Sequence, residues 1–360
     1  MKRTTLGGDR ERGTGCTSQD TRNWPLCLGR EGGIANWPGQ RVRWGQRACE
    51  RRTTVFGLGS WVLAICQDPR PKNKSRTLPM QPLDTVAIVG VGLIGGSIGL
   101  ALRKRGLAGE IVGIGRRAES LRLAQERGAV TRATLDLDKG VAGASWVVVC
   151  TPVARIADDV RGAAQSCRPG ALITDAGSTK AEIVERVGSA LPRDVRFIGS
   201  HPLAGSERSG AAAADADLFV DRLVVLTPDS TAAAGDVRTL SEFWRALGAR
   251  VATMPAAEHD RLIAAASHLP HLVAAALAIA TPDEALPLTA TGWADSTRIA
   301  SGDPELWRQI FASNRSSLLA SLTRFEELLA GLRIALDAGD DQAVLEILRA
   351  AKQRRDGMAL

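Results

Sequence analysis

Several features that would place this chain in a class at once are missing from it. No apolar run approaches the roughly 20 residues that a bilayer-spanning helix needs. The longest candidate in the first half, Val55 to Cys66, is short and is interrupted by Gly57, Gly59 and Ser60. No small-residue cleavage pattern follows it, so a secretory signal is not indicated either. Cysteine is scarce: six residues, with no C-x-x-C pair and no spacing that matches a zinc site. Cys150 ends a Val-rich run and reads as a small buried residue. Reduced thiols in a cytoplasmic protein without a metal are the expectation. No internal repeat is present. The net charge of +7 looks like that of a nucleic-acid binder, but its distribution removes the impression. Residues 1–79 hold 15 basic and 6 acidic side chains, which leaves 31 basic against 33 acidic in the remainder. That remainder offers no basic groove, so neither nucleic acid nor a membrane is an expected partner.

A chain of 360 residues is long enough for two packed domains. Residues 1–79 show neither a spacing of 2 nor one of 3.6 in their apolar positions. They are rich in Arg, Gly, Trp and Thr, with Trp24, Trp37, Trp44 and Trp61 scattered singly. They read as an unstructured or mis-assigned upstream extension, the protein proper starting at or near Met80. A disordered or targeting tail is the alternative, although Asp9, Glu11, Asp20 and Glu31 do not suit a transit peptide. From Asp84 the pattern changes. Short apolar runs at Thr85–Val89, Ile111–Ile114, Trp146–Cys150, Leu172–Thr174, Phe197–Gly199 and Leu223–Leu226 read as strands, alternating in the first part with helical stretches at Gly95–Lys104 and Ser120–Arg127. The expected fold is α/β, a Rossmann-type doubly wound parallel sheet over residues 80–254. After Met254 the strands stop. Glu258–Ala280, with a kink or break expected at Pro270, Leu306–Leu332 and Asp340–Lys352 are helical in period, so 255–360 reads as an all-helical domain for substrate and dimerisation.

Gly90-Val91-Gly92-Leu93-Ile94-Gly95 is a G-x-G-x-x-G sequence directly after a strand and opening a helix. In that context Gly90, Gly92, Leu93, Ile94 and Gly95 point to a dinucleotide site: a tight turn, close backbone approach to a pyrophosphate, and the helix N-terminus beneath the phosphates. Thr151 and Pro152, after the fourth strand, belong to the same candidate site. At the end of the second strand, where an NAD site usually has Asp or Glu, Gly115 is followed by Arg116 and Arg117. Without a carboxylate to repel a 2′-phosphate, and with guanidinium groups to bind it, NADP is favoured over NAD. Solvated loop charges are the alternative for the two arginines.

From Val86 to about Asp356 the chain resembles the prephenate/arogenate (cyclohexadienyl) dehydrogenases of tyrosine biosynthesis. The resemblance rests on linked segments in order: VAIVGVGLIGGSIGLAL, VVVCTPV, ITDAGSTK, IGSHPLAGSERSG, SHLPHLVAAAL and ADSTRIASGDPELW. It implies oxidation of a ring hydroxyl with hydride transfer to a nicotinamide and loss of CO2. His201 matches the family's catalytic histidine, and a neutral His suits removal of the hydroxyl proton. Ser178 matches a serine close to the reacting hydroxyl, although a Ser before Thr-Lys would alone read as a helix N-cap. Arg298 matches the substrate-binding arginine, with an ordinary ion pair to Asp295 as the alternative. His271 matches a residue of the side-chain pocket. Glu207 and Trp307 match positions around the pocket, Trp307 reaching across the interface of an expected homodimer. His268 and His271 are spaced for one helix face, but no third ligand accompanies them and the family uses no metal. No fused chorismate mutase or regulatory ACT domain is recognisable, and Gly115 departs from an NAD-type site. Two other readings remain: a two-domain dehydrogenase of the β-hydroxyacid or pyrroline-carboxylate reductase kind, and a nucleotide-sensing module without chemistry.

Overall fold

The structure, a computed structural model, describes residues 81–188, 191–192, 194–205, 208 and 210–358, and the backbone of an antiparallel hairpin. The hairpin strands, Ile34–Trp37 and Gln40–Arg43, belong to a separate unit of residues 1–59. The missing apolar period did not anticipate these strands; the other expectations for residues 1–79 fall outside the described residues.

In the larger unit eight strands form one sheet: β1 (Leu83–Val89), β2 (Ala108–Ile114), β3 (Arg132–Thr134), β4 (Trp146–Val149), β5 (Leu172–Asp175), β6 (Arg196–Pro202), β7 (Leu223–Thr227) and β8 (Arg250–Thr253), ordered β8-β7-β6-β5-β4-β1-β2-β3. The helices between them are α1 (Leu93–Lys104), α2 (Ala118–Glu126), α3 (Leu137–Val141), α4 (Val153–Ser166), α5 (Ala181–Val187) and α6 (Ala234–Ala246). Alternation along the central strands explains the two layers. Val86 and Ile88 of β1, with Trp146 and Val148 of β4, pack toward Ile98, Leu102, Phe243 and Trp244. Ala87, Val89, Val147 and Val149 face the opposite side, against Ile156, Val160 and Ile183. Both faces are covered, so the strands read as continuous apolar runs.

The sheet is mixed rather than wholly parallel as expected. β6 and β7 pair antiparallel, His201 lying opposite Val225, and β8 then runs parallel to β7. Among the described residues, the connection after β6 contains no crossover helix to return the chain to the far edge, only a short 3-10 turn at Ala211–Ala213. β7 therefore starts at the end where β6 stops. The three-residue β3 and the half-buried β8 carry too few apolar residues to have shown in the sequence.

Beyond β8 the chain is helical. α7 (Ala256–Ile263) passes through a π-helical turn, Ala264–His268, into α8 (Leu269–Ala280). Pro270 does not break this run, which continues through it to Ala280. The wide turn just before it, in which Leu269 N–H donates to Ala264 O, gives the ring room where an α-turn would crowd a carbonyl. The continuous run Ala256–Ala280 is also long and apolar enough to cross a membrane, which corrects the expectation that no such stretch exists. Its His268 and His271, however, line a cleft described below, and His259 is buried behind it. α9 (Thr291–Thr297), α10 (Pro304–Ser313), α11 (Arg315–Asp337) and α12 (Asp341–Asp356) complete the domain. The stretch expected as one helix over 306–332 is divided at Asn314, whose side chain is drawn away to Asp260 O and His268.

Candidate active site

The sheet order reverses between β1 and β4, and the loops leaving the C-terminal ends of these strands form a cleft of about 290 Å³. Each motif glycine has a distinct reason. Gly90 has φ +95°, and a Cβ there would lie 2.7 Å from Cys150 O. A Cβ on Gly95 would lie 2.1 Å from Gly90 O, so helix α1 can pack this tightly only on glycine. At Gly92 the space is open, as backbone contact with a phosphate requires. Gly92 opens α1 without a capping side chain or an acidic residue in the first turn, which leaves N–H groups for an anion. These features fit a dinucleotide. Arg116, Arg117, Thr151 and Pro152 line the cleft with Gly90 and Gly92. Gly95, Leu93 and Ile94 do not; they shape α1 instead, Ile94 packing against the core. Cys150, read as a small buried residue, is half-buried, packing against the core and bordering this cleft, and burial pushes its thiol pKa up. Thr151 Oγ1 donates to Asp159 (2.6 Å), which also accepts from Arg155 Nη2 (2.8 Å), so the loop after β4 is anchored to α4.

A second cleft, about 620 Å³, opens between the end of β6 and the helical domain. It brings together five of the six expected residues: Ser178, His201, His271, Arg298 and Trp307. Glu207 lies outside the described residues. Ser178 is not an N-cap, because α5 starts at Ala181 and its first N–H groups are held by Asp260. Among the described residues, Arg298 forms no ion pair with Asp295 or with any other acid, and it is the one Arg or Lys that lines the cleft. Trp307 does not need a partner chain to reach the pocket. It stacks on His271 of its own chain, ring centroids 3.5 Å apart and 14° between planes. The buried His271 Nδ1 has no partner among the described residues, so a polar atom is left for a ligand. The chain after β6 serves both clefts: His201 to Gly205 line this one, and Gly210 and Ala211 line the nucleotide cleft.

Behind His201 lies a buried polar network. His201 Nδ1 is 2.9 Å from His259 Nε2, and His259 Nδ1 is 2.8 Å from Asp260 Oδ1. Asp260 accepts from Lys180 N (2.8 Å) and Ala181 N (2.9 Å), joining the helical domain to the start of α5. Asn314 Nδ2 donates to Asp260 O and reaches His268 Nδ1 at 3.3 Å. The fully buried Lys180 pairs with the equally buried Asp175 and donates to Ser200 O (2.9 Å). Burial, then the neighbouring His259, Lys180 and His268, hold the His201 pKa well below its ordinary 6.5, so the ring is neutral near pH 7. Burial likewise lowers His268 to about 4.

Sequence reasoning missed His259, Asp260, Lys180, Asp175 and Asn314. A signal for His259 existed. The chain has only four histidines, and this is the one that lies in none of the motif segments. All four converge on this site.

A doubly wound sheet with a nucleotide turn at its switch point, and a helical domain closing a second cleft beside it, define a two-domain nicotinamide-dependent dehydrogenase. Comparison with known proteins narrows this. The nucleotide-binding domain of prephenate dehydrogenases matches residues 98–253, and the dimerization domain of the same family matches 255–350. Prephenate dehydrogenase of Bacillus subtilis is 34% identical over 287 residues, 78% of this chain and 77% of that protein. The crystal structure of the Aquifex aeolicus prephenate dehydrogenase, solved with hydroxyphenyl propionate and NAD+, is similar with a TM-score of 0.71 and 30% identity, covering 78% of this chain and 99% of that one. The Synechocystis arogenate dehydrogenase structure gives 0.66 and 31%, covering 76% and 99%. The chain belongs to the prephenate dehydrogenase family.

Proposed function

We propose that this chain oxidatively decarboxylates prephenate or arogenate in tyrosine biosynthesis, with His201 as general base and NADP as the preferred cofactor. Support comes first from His201 itself: a neutral imidazole at the end of β6, in a cleft with one unpaired guanidinium, on a connection that also borders the nucleotide cleft. The nicotinamide, when bound, accepts the hydride. Gly90, Gly92 and the start of α1 would hold its phosphates. His201 takes the proton of the ring hydroxyl as the C–H bond of the same carbon breaks. The carbonyl so formed is conjugated with the ring carbon bearing the carboxylate, so the electrons of the C–CO2 bond flow into the ring and CO2 leaves. The aromatic product then recovers a proton on oxygen from His201. Arg298 anchors a substrate carboxylate, Ser178 offers a hydroxyl near the base, and His271, braced by Trp307, lies within reach of the side chain. Glu207 belongs to the same pocket on the family resemblance.

Cofactor preference rests on Gly115, Arg116 and Arg117. Neither arginine is paired with an acid among the described residues, and the Ser120 hydroxyl borders the same cleft. A 2′-phosphate would find two guanidinium groups and no carboxylate at position 115. The division into residues 80–254 and 255–360 follows the change from strands to helices. A homodimer built on the helical domain would cover apolar side chains the single chain leaves open, such as Ile279 (86% exposed) and Ile334 (65%).

Initial rates of full-length protein with prephenate and with arogenate, each with NAD and NADP, test the reading. Turnover that is fastest with NADP and is lost in His201→Asn supports it. A folded protein that binds reduced cofactor yet turns over none of the four combinations refutes it.

A further inference from the structure

We infer that His259 and Asp260 are positioning residues that fix His201 as the tautomer with hydrogen on Nδ1 and a bare Nε2 turned to the substrate cleft. The inference rests on reading His201 as the base. It starts from groups whose hydrogen-bonding role cannot change. Backbone N–H groups only donate, and Lys180 N and Ala181 N donate to the two different carboxylate oxygens of Asp260. Both oxygens are therefore acceptors, so His259 must present an N–H at Nδ1, 2.8 Å from Oδ1. A neutral imidazole with hydrogen on Nδ1 has a lone pair on Nε2. His259 Nε2 lies 2.9 Å from His201 Nδ1, so His201 donates there. The remaining lone pair of His201 is on Nε2. His259 is 1% exposed and Asp260 3%, so water does not compete for these hydrogen bonds.

The alternative chain of donors is closed at its far end. Reversing it would require Asp260 to donate to His259 Nδ1 from an oxygen that already accepts a backbone N–H. His268 shows that the site does not impose one tautomer on every ring. Its Nδ1 faces the Asn314 amide nitrogen, which donates, so its hydrogen sits on Nε2. His201 thus offers an acceptor to the cleft while His268 carries a donor. Among the described residues, the charged and titratable groups near His201 are His259, His268 and the paired Lys180, and Arg298, His271 and Asp303 line the same cleft; none of them is hydrogen-bonded to Nδ1 except His259. As His201 takes a proton, the relay also places acceptors behind the new positive charge, with Asp260 at the end. Because α7 carries His259 and Asp260 while β6 and α5 carry their partners, seating the helical domain on the sheet and orienting the base are one event.

The test reads the tautomer directly. Two-bond 1H–15N correlation spectra of 15N-histidine-labelled full-length protein distinguish a protonated from a bare ring nitrogen, and four histidines can be assigned by replacing each in turn. The expected wild-type spectrum shows His201 with a protonated Nδ1 and a bare Nε2. His259→Phe removes the acceptor. Loss of that signature is expected, with kcat down about 10- to 100-fold and the KM for substrate and the cofactor Kd within about 3-fold. His259→Gln, whose amide oxygen can accept from His201, should restore the signature and most of kcat. Hydrogen on His201 Nε2 in the wild type, or a His259→Phe protein with unchanged tautomer and kcat, would overturn the inference. The wild-type spectrum needs no variant to fold. If it shows the expected tautomer while no cyclohexadienyl substrate is turned over, the proposed function fails and the relay stands.

Discussion

Replacing Arg116 and Arg117 by Ala isolates the basis of cofactor choice. Both side chains are exposed on the rim of the nucleotide cleft, and neither has an acidic partner among the described residues. Removing them strands no buried charge, so the fold should be unaffected. A charge-assisted hydrogen bond to a phosphate is worth about 1.5–3 kcal/mol, and exposure with screening places these two at the lower end. At about 1.4 kcal/mol per tenfold, each arginine should account for roughly 10-fold in kcat/KM for NADP, and the pair for up to about 100-fold. With NAD, which has no 2′-phosphate, the change should stay within about 2-fold. Gly115→Asp should act in the same direction by repulsion. Its Cβ would lie 3.2 Å from Leu121 Cδ2, the movable end of a side chain, so the site can accept it. The assay is initial rate against cofactor concentration at saturating substrate, repeated as ionic strength rises. The advantage of NADP should shrink with salt in the wild type and be salt-insensitive in the double variant. A double variant that loses both cofactors alike would assign the arginines to a part of the molecule common to both. No loss with either would make them solvated loop charges and remove the case for NADP.

Three further outcomes follow from the buried titratable groups. Lys180→Met leaves the Asp175 carboxylate buried without its cation and should destabilise the protein by about 3–5 kcal/mol, read as a fall in melting temperature; Asp175→Asn in the same chain should recover part of it. A melting temperature within a degree of wild type would contradict the buried pair. The pH dependence has a definite sign. Because His201 is held well below 6.5, kcat/KM should stay flat as pH falls to 6.5 and decline only below it. His268, at about 4 when folded, binds its proton more readily when unfolded. Its stabilisation is complete above about pH 6.5 and is lost progressively toward pH 4, a change of about 3 kcal/mol. Denaturant titrations across that range check it; stability unchanged between pH 7 and 4.5 would refute the buried neutral ring.

The sequence by itself determined the features that depend on neighbours in the chain. G-x-G-x-x-G between a β-branched run and a helix needs only local geometry, and Gly90 and Gly95 prove indispensable for backbone reasons. The apolar runs of β1, β4 and β5 were legible because both faces of those strands are buried. His201, Ser178, Arg298, His271 and Trp307 were legible because each lies in a recognisable segment. Long-range pairing was not. The antiparallel β6–β7 pair depends on where a connection lets the chain turn, which no local period encodes. Passage of the helix through Pro270 depends on a π-turn, which no apolar period in the sequence announces. Asn314, a helix interruption in the sequence, is in space the tie between Asp260 and His268. His259 and Asp260 are adjacent on a helix and match no catalytic spacing. They gain a role only when α7 is laid against β6 and the start of α5, because the direction of a hydrogen bond is fixed by what stands at both ends of it.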